Sequence, residues 1–144
     1  MSKRYLLDMN VLAALCSDEH EFHEKAHRWF DTISAAWALC PLTEAGFIRL
    51  AANPATHVGP GSIARATEVL GGLVRLPGYS YWPVTDTWAE LTAPFGDRIF
   101  GHQQVTDAYL LGMAIKEGGV LVTFDRGLKY LAGPQFSGNL LVLE

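Results

Sequence analysis

Residues 105–124, VTDAYLLGMAIKEGGVLVTF, hold a helix-like run followed by a strand-like one. Residues 105–115 are apolar nearly all the way round a helix, which places that helix in a core. Residues 120–124 (VLVTF) form a continuous apolar run, the pattern of a strand buried on both faces. The helix nevertheless carries one carboxylate, Asp107. A buried aspartate without a partner is costly and tends to neutralise itself. Something elsewhere in the chain has to hold that charge.

The same alternation extends in both directions. Residues 3–7 (KRYLL) read as a short strand ending at Asp8, residues 36–40 (AWALC) as a second closed by Pro41, and residues 140–143 (LLVL) as the last. Residues 81–84 (YWPV) are a weaker candidate because of Pro83. Between them, residues 19–33 carry Phe22, Ala26, Trp29, Phe30 and Ile33 at helical spacing. Thr43 is a candidate N-cap for TEAGFIRLAA, and Ser62 for a helix over 62–74. Residues 85–93 and DRGLKYL (125–131) read as short helices, and 53–61 and 94–103 as loops. Apolar strands alternating with helices predict a single α/β domain over residues 1–144, a three-layer fold with a mostly parallel central sheet and helices on both faces.

With 144 residues and 49% apolar composition the chain is long and apolar enough for a real core. No apolar stretch approaches the ~20 residues of a membrane span. The N-terminus starts basic and then apolar, as a signal peptide does, but Asp8 and Asn10 interrupt the run and no small-residue cleavage site follows. Cys16 and Cys40 each sit in apolar sequence and read as buried thiols of a reducing compartment, so the expected location is the cytoplasm.

In an open parallel sheet, sites form at the carboxyl ends of the strands. Asp8, Glu44 and Asp125 each follow such an end by one to four residues, and Asp107 joins them if its helix starts at that edge. Singly each has a local explanation as an Asx turn, a cap or a complement to a helix dipole. Together they form a carboxylate cluster, which repulsion makes costly. A hard divalent cation makes it tolerable, and oxygen-only ligands select Mg²⁺, with Mn²⁺ able to substitute.

The segments LLDMNVLAAL, PLTEAGFIRL, VTDAYLLGMA and LVTFDRGL, in that order, resemble the PIN domain, specifically the VapC-type ribonuclease toxins of bacterial toxin–antitoxin pairs. The resemblance runs over essentially the whole chain. It implies a PIN-like fold and metal-dependent hydrolysis of RNA. It also implies Asp8, Glu44, Asp107 and Asp125 as the four catalytic, metal-binding acids, with Asn10, Thr43 and Thr123 as polar companions. Where the family often has Thr or Ser after the first acid, this chain has Met9, whose side chain is expected to face away from the site. The family further implies a homodimer and a VapB-type antitoxin whose extended segment crosses the site.

The net charge of −4 argues at first against a nucleic-acid partner. Setting the four acids aside as metal ligands leaves eleven to balance eleven Lys and Arg. RNA then meets a roughly neutral surface, with Arg49, Arg98, His102, Arg126 and Lys129 near the site segments as candidate contacts. For the antitoxin, the candidate anchors are the aromatics of residues 22–50, Phe22, Trp29, Phe30 and Phe47, around a groove beside Glu44.

Two competing readings come from the same residues. His23-Glu24-Lys25-Ala26-His27 matches H-E-x-x-H, the zinc-peptidase pattern. Only three letters of it are fixed, and the longer form with Gly and a third His is absent, so a polar helix flank is the plainer account. The other is a non-catalytic PIN-like module that binds RNA or a partner, which the intact set of four acids opposes.

Overall fold

A computed structural model describes residues 3–33, 36–56 and 59–144. Five parallel strands form one sheet: β1 (Tyr5–Leu7), β2 (Trp37–Leu39), β3 (Tyr79–Tyr81), β4 (Val120–Thr123) and β5 (Leu140–Val142), in the order β3-β2-β1-β4-β5. β1 is central, with Leu6 opposite both Ala38 and Leu121 and Leu7 opposite Val122. The helices are α1 (Met9–Cys16), α2 (His23–Thr32), α3 (Pro41–Ala52), α4 (Ile63–Leu73), α5 (Trp88–Thr92), α6 (Val105–Lys116) and α7 (Leu128–Ala132).

The strands are apolar at every position because both faces are covered. Leu6, Ala38 and Leu121 point into one core with α5, α6 and α7, where Leu91, Leu110, Leu111 and Leu131 are buried. Their neighbours Leu7, Leu39 and Val122 point into a second core with Val11 and Leu12 of α1, Phe47 of α3 and Ala66 of α4. This period-two division makes three layers, and the α/β expectation holds.

Several boundaries differ from the sequence reading. The helix α1 was not anticipated: Asp8 ends β1 and at once caps α1, accepting from the Met9 N–H at 2.7 Å. The next strand-to-helix step is equally tight. α3 starts at Pro41, two residues before the expected cap, because Cys40 is the N-cap and Thr43 reaches back to accept from its N–H at 2.9 Å. Residues 79–81, rather than 81–84, form β3. Pro83 cannot donate to a ladder, so pairing ends at the Trp82 N–H, which donates to the Leu39 carbonyl. The expected helix over 85–93 shortens to α5, and 3₁₀ turns occupy Ala93–Arg98 and His102–Gln104 where a loop was expected. Ser62 caps α4 as expected, accepting from the Arg65 N–H. Residues 57 and 58 of the expected 53–61 loop lie outside the described residues.

Two glycines report how closely the helices pack. A Cβ on Gly112 of α6 would stand 2.5 Å from the Leu91 carbonyl oxygen and 2.8 Å from the Leu91 Cβ of α5, whereas one on Gly71 of α4 would meet nothing within 4 Å. Gly112→Ala is therefore expected to cost about 1–3 kcal/mol through overpacking. Gly71→Ala is expected to be neutral or to stabilise by about 0.5–1 kcal/mol through helix propensity. Chemical denaturation of the two variants side by side checks the contact between α5 and α6.

Candidate functional site

Parallel register brings the ends of β1 and β4 to one edge. There the Asp8 N–H donates to the Val122 carbonyl at 2.9 Å, continuing the ladder by one residue. The Asp8 side chain is only 3% exposed. One carboxylate oxygen accepts from the Met9 N–H, and the other accepts from the Thr123 hydroxyl at 2.7 Å. Thr123, fully buried at the end of β4, also accepts from the Asp125 N–H at 3.1 Å. One hydroxyl thus fixes Asp8 and the chain leading to Asp125. Asp125 itself is exposed and turns back on the chain, accepting from the Gly127 N–H at 2.8 Å in an Asx-type turn.

Asp107 stands in the first turn of α6. It borders a cavity of ≈ 130 Å³ lined also by Asp125, Gly127, Gln103 and Gln104. Burial pushes its carboxyl up to about 7, with the charges of Asp8 and Asp125 and a hydrogen bond shared with Asp125 adding to the effect. Asp8 is also raised, first by burial and then by the charge of Asp125, against the lowering pull of Thr123 and Met9. The question posed by the apolar 105–115 segment has a partial answer here: Asp107 lies against two further carboxylates. Among the described residues, none of the three takes part in an ion pair.

Glu44 occupies a different position. It lies in the first turn of α3 and lines a groove of ≈ 760 Å³ between α3 and α4, with Pro41, Ile48, Arg49, Ile63 and Leu70. Its charge raises Tyr79 and Cys40 and is not among the causes that shift Asp8 or Asp107. Among the described residues no three His, Cys, Asp or Glu side chains are gathered closely enough to enclose an ion by themselves. What Asp8, Asp107 and Asp125 share is electrostatic coupling. Their chemistry fits a hard divalent cation, since every donor is an oxygen and the excess charge is negative. A second feature fits as well: the buried Asn10 Oδ1, two residues after Asp8, has no hydrogen-bond partner, an opening for a water or an ion.

Thr43 is buried in the cap of α3, and Met9 packs its thioether over Gly46, so the departure at Met9 is absorbed between α1 and α3. Arg98 is turned into the fold and only part-exposed. Its guanidinium lies over Gly133 and donates to the Ala132 carbonyl at 2.9 Å, closing the end of α7. Arg126 and Lys129 both reach Glu144, at 3.8 and 2.7 Å, while Arg49 and His102 are exposed. Phe47 is 1% exposed and belongs to the core, so it offers a partner no face. Helical geometry explains this, because the next residue, Ile48, takes the groove side. Phe22, Trp29 and Phe30 are half-buried and engaged with Phe124, Tyr5 and Trp37 at centroid distances of 4.8, 5.4 and 5.5 Å. None of the four lines the groove. Gln104 was missed by the sequence reading; its spacing of three residues from Asp107 puts both on one helix face.

The H-E-x-x-H histidines have a structural task. His23 Nδ1 lies 2.7 Å from the Ala14 carbonyl and His27 Nε2 3.0 Å from that of Leu15, so the two rings cap the last turn of α1. Both thiols are free, and burial pushes that of Cys16 up to about 12. Among the described residues no helix is long and apolar enough to cross a membrane.

The PIN domain model matches residues 5–134. The chain is 39% identical over 126 residues to ribonuclease VapC39 of Mycobacterium tuberculosis, covering 85% of this chain and 89% of that protein. It is 41% identical over 128 residues to ribonuclease VapC38 of the same organism, covering 88% and 89%. Among solved structures, VapBC2 from Rickettsia felis, bound to a DNA fragment from its promoter, has a TM-score of 0.66 at 13% identity, covering 98% of this chain and 99% of that one. That likeness concerns the fold.

The raised carboxyl of Asp107 makes a stability prediction for the metal-free protein. A folded-state pKa near 7, against 3.8 for the free group, favours folding while the carboxyl is protonated. That contribution is complete below pH ~4 and is lost as pH rises through about 7. In EDTA at pH 7.5, Asp107→Asn is expected to melt higher than the parent, by about 1–2 kcal/mol after discounting for the partial exposure of the group. The gap should close by pH 4. Melting curves at the two pH values check it, and a lower melting point for the variant would show that Asp107 has a structural partner instead.

Proposed function

The chain belongs to the PIN domain family, and from that premise we propose that it is the toxin of a toxin–antitoxin pair, a metal-dependent endoribonuclease that hydrolyses RNA phosphodiester bonds. One observation carries the reading: Asp8, Asp107 and Asp125, from three distant parts of the sequence, act on one another at a single sheet edge with no basic side chain paired to them among the described residues. The ribonucleases of M. tuberculosis that align with most of the chain support the same activity.

Asp8, Asp107 and Asp125 would hold the cation, and the hard oxygen set favours Mg²⁺ with Mn²⁺ as substitute. When bound, a divalent cation acidifies a water and neutralises charge that builds on the phosphate. The chain's own contribution is to orient and to tune. Thr123 and the Met9 N–H keep Asp8 in one orientation, and the Gly127 N–H does the same for Asp125. Asp107, whose carboxyl is raised to about 7, would bind a cation in its ionised form and so make loading depend on pH. Glu44, in the first turn of α3 and lining the neighbouring groove, is not coupled to the other three and would take part only through a positioned water or a second ion.

Arg49 and His102 are exposed and free to meet RNA. Among the described residues Arg126 and Lys129 are held by exposed pairs with Glu144, which RNA phosphates can replace at little cost. The protein partner is a VapB-type antitoxin, and the molecule is a cytoplasmic homodimer of one domain per chain. The zinc-peptidase reading lacks a ligand set: each histidine uses one ring nitrogen to cap α1, and among the described residues no third His, Cys, Asp or Glu joins them around a common point.

Asp8→Asn and Asp107→Asn are each expected to lower RNA cleavage at least about a hundredfold with the fold intact. Thr123→Val, which removes a group supporting a ligand, should lower it about 10–100-fold. EDTA should abolish cleavage and added Mg²⁺ or Mn²⁺ restore it. His23→Ala and His27→Ala should retain cleavage while losing about 1 kcal/mol each of stability from the α1 end. Rate measurements on a labelled RNA, with circular dichroism to confirm folding, check the set. Full activity in either aspartate variant would sink the assignment.

A further inference from the structure

Two aromatic rings stand in solvent on the segments that flank the cavity of Asp107 and Asp125. Phe100 is 74% exposed and Tyr130 61% exposed, and their rings lie 5.9 Å apart, tilted by 38°. Exposed rings of this size are unfavourable in water, and the backbone of each is tied to a residue that lines the aspartate cavity. Phe100 precedes the turn that leads into α6. Its N–H donates to Gln104 Oε1 at 2.7 Å, and that of Gly101 donates to the same oxygen at 3.2 Å. Gln104 also lines the cavity of Asp107 and Asp125. Tyr130 lies on α7, whose Leu128 and Leu131 line that cavity while Tyr130 turns outward. Its N–H donates to the carbonyl of Gly127, the residue whose own N–H holds Asp125. The backbone N–H of each residue is thus bonded directly to a residue that lines the cavity.

We propose that Phe100 and Tyr130 form a stacking platform for an unpaired base of the RNA substrate, next to the phosphodiester that is cut; the proposal rests on the ribonuclease reading. A strand passing the aspartates must lay its neighbouring bases on whatever adjoins them, and an aromatic face accepts any base. Two rings, which bury about 150–250 Å² each when covered, are too small for a protein interface, which needs about 800 Å² per partner. The platform selects for single strands, because a base inside a duplex has no free face to offer.

The test uses the Asp8→Asn protein, so that RNA survives, and two fluorescein-labelled 12-nucleotide strands. One is unstructured RNA, and the other has the same backbone with abasic positions throughout. Phe100→Ala and Tyr130→Ala are expected to weaken binding of the intact strand about 5- to 100-fold and to leave the abasic strand unchanged; Tyr130→Phe should bind as the parent does. In the otherwise wild-type protein the same two alanine variants should raise KM and hold kcat. Both rings are exposed, so melting curves should be unchanged. Equal affinity for the intact strand in folded variants overturns the proposal, as does equal weakening for both strands. Unchanged RNA affinity together with a dimer-to-monomer shift in sedimentation would assign the rings to a protein contact and overturn it too. If the wild type cleaves no RNA at all, the ribonuclease reading fails. If it cleaves and the variants match it in KM, only the platform fails.

Discussion

The hydroxyl of Thr123 is the point on which the site depends. It donates to a carboxylate oxygen of Asp8 and accepts from the N–H of Asp125, joining the ends of β1 and β4 to the segment that opens α7. The bond exists because β1 and β4 are neighbours in the sheet although 115 residues separate Asp8 from Thr123. Asp8 is almost completely buried, and a carboxylate in that position without donors would be expensive. Thr123 and Met9 offset part of that cost, yet burial still outweighs them and the carboxyl stays raised.

That residual cost suits a binding site and not a structural one. The chain has basic side chains to spend, and it places them elsewhere. Arg4 pairs with Glu117, Lys116 with Asp86, and Arg126 and Lys129 with Glu144. A lysine or arginine beside Asp107 would relieve the repulsion and stabilise the fold, but would compete with any cation for the same oxygens. Among the described residues the aspartates have no basic partner, an arrangement that costs stability and that is common for perturbed carboxyls in clefts.

Around this cluster the frame is tightly held. Asp8 starts α1 directly after β1, and His23 and His27 hold the other end of that helix. Met9 fills the space that Gly46 leaves on α3, while Gly112 lets α6 approach α5. Arg98 closes α7 from the far side. Helices fixed at both ends allow the short, polar segments between them to present carboxylates, and the exposed pair of Phe100 and Tyr130, in defined positions.

Much of this was legible in the residues. Continuous apolar strands alternating with helices require a sheet covered on both faces, whatever the connections, because such strands have no side that tolerates water. The apolar helix around Asp107 likewise demanded a partner for its carboxylate, and the acids following strands located the edge where partners would be found. Other features depended on contacts between distant residues, which no local pattern encodes. Periodicity could not show that Asp8 both ends a strand and starts a helix, since eight residues of α1 carry too few turns to register. Nor could it show that Arg98 is committed to the Ala132 carbonyl, that Phe47 faces the core while Ile48 faces a groove, or that the two histidines cap a neighbouring helix. A side chain's chemistry is fixed by its sequence, but whether that chemistry is available is decided by which carbonyls, rings and charges the fold brings against it.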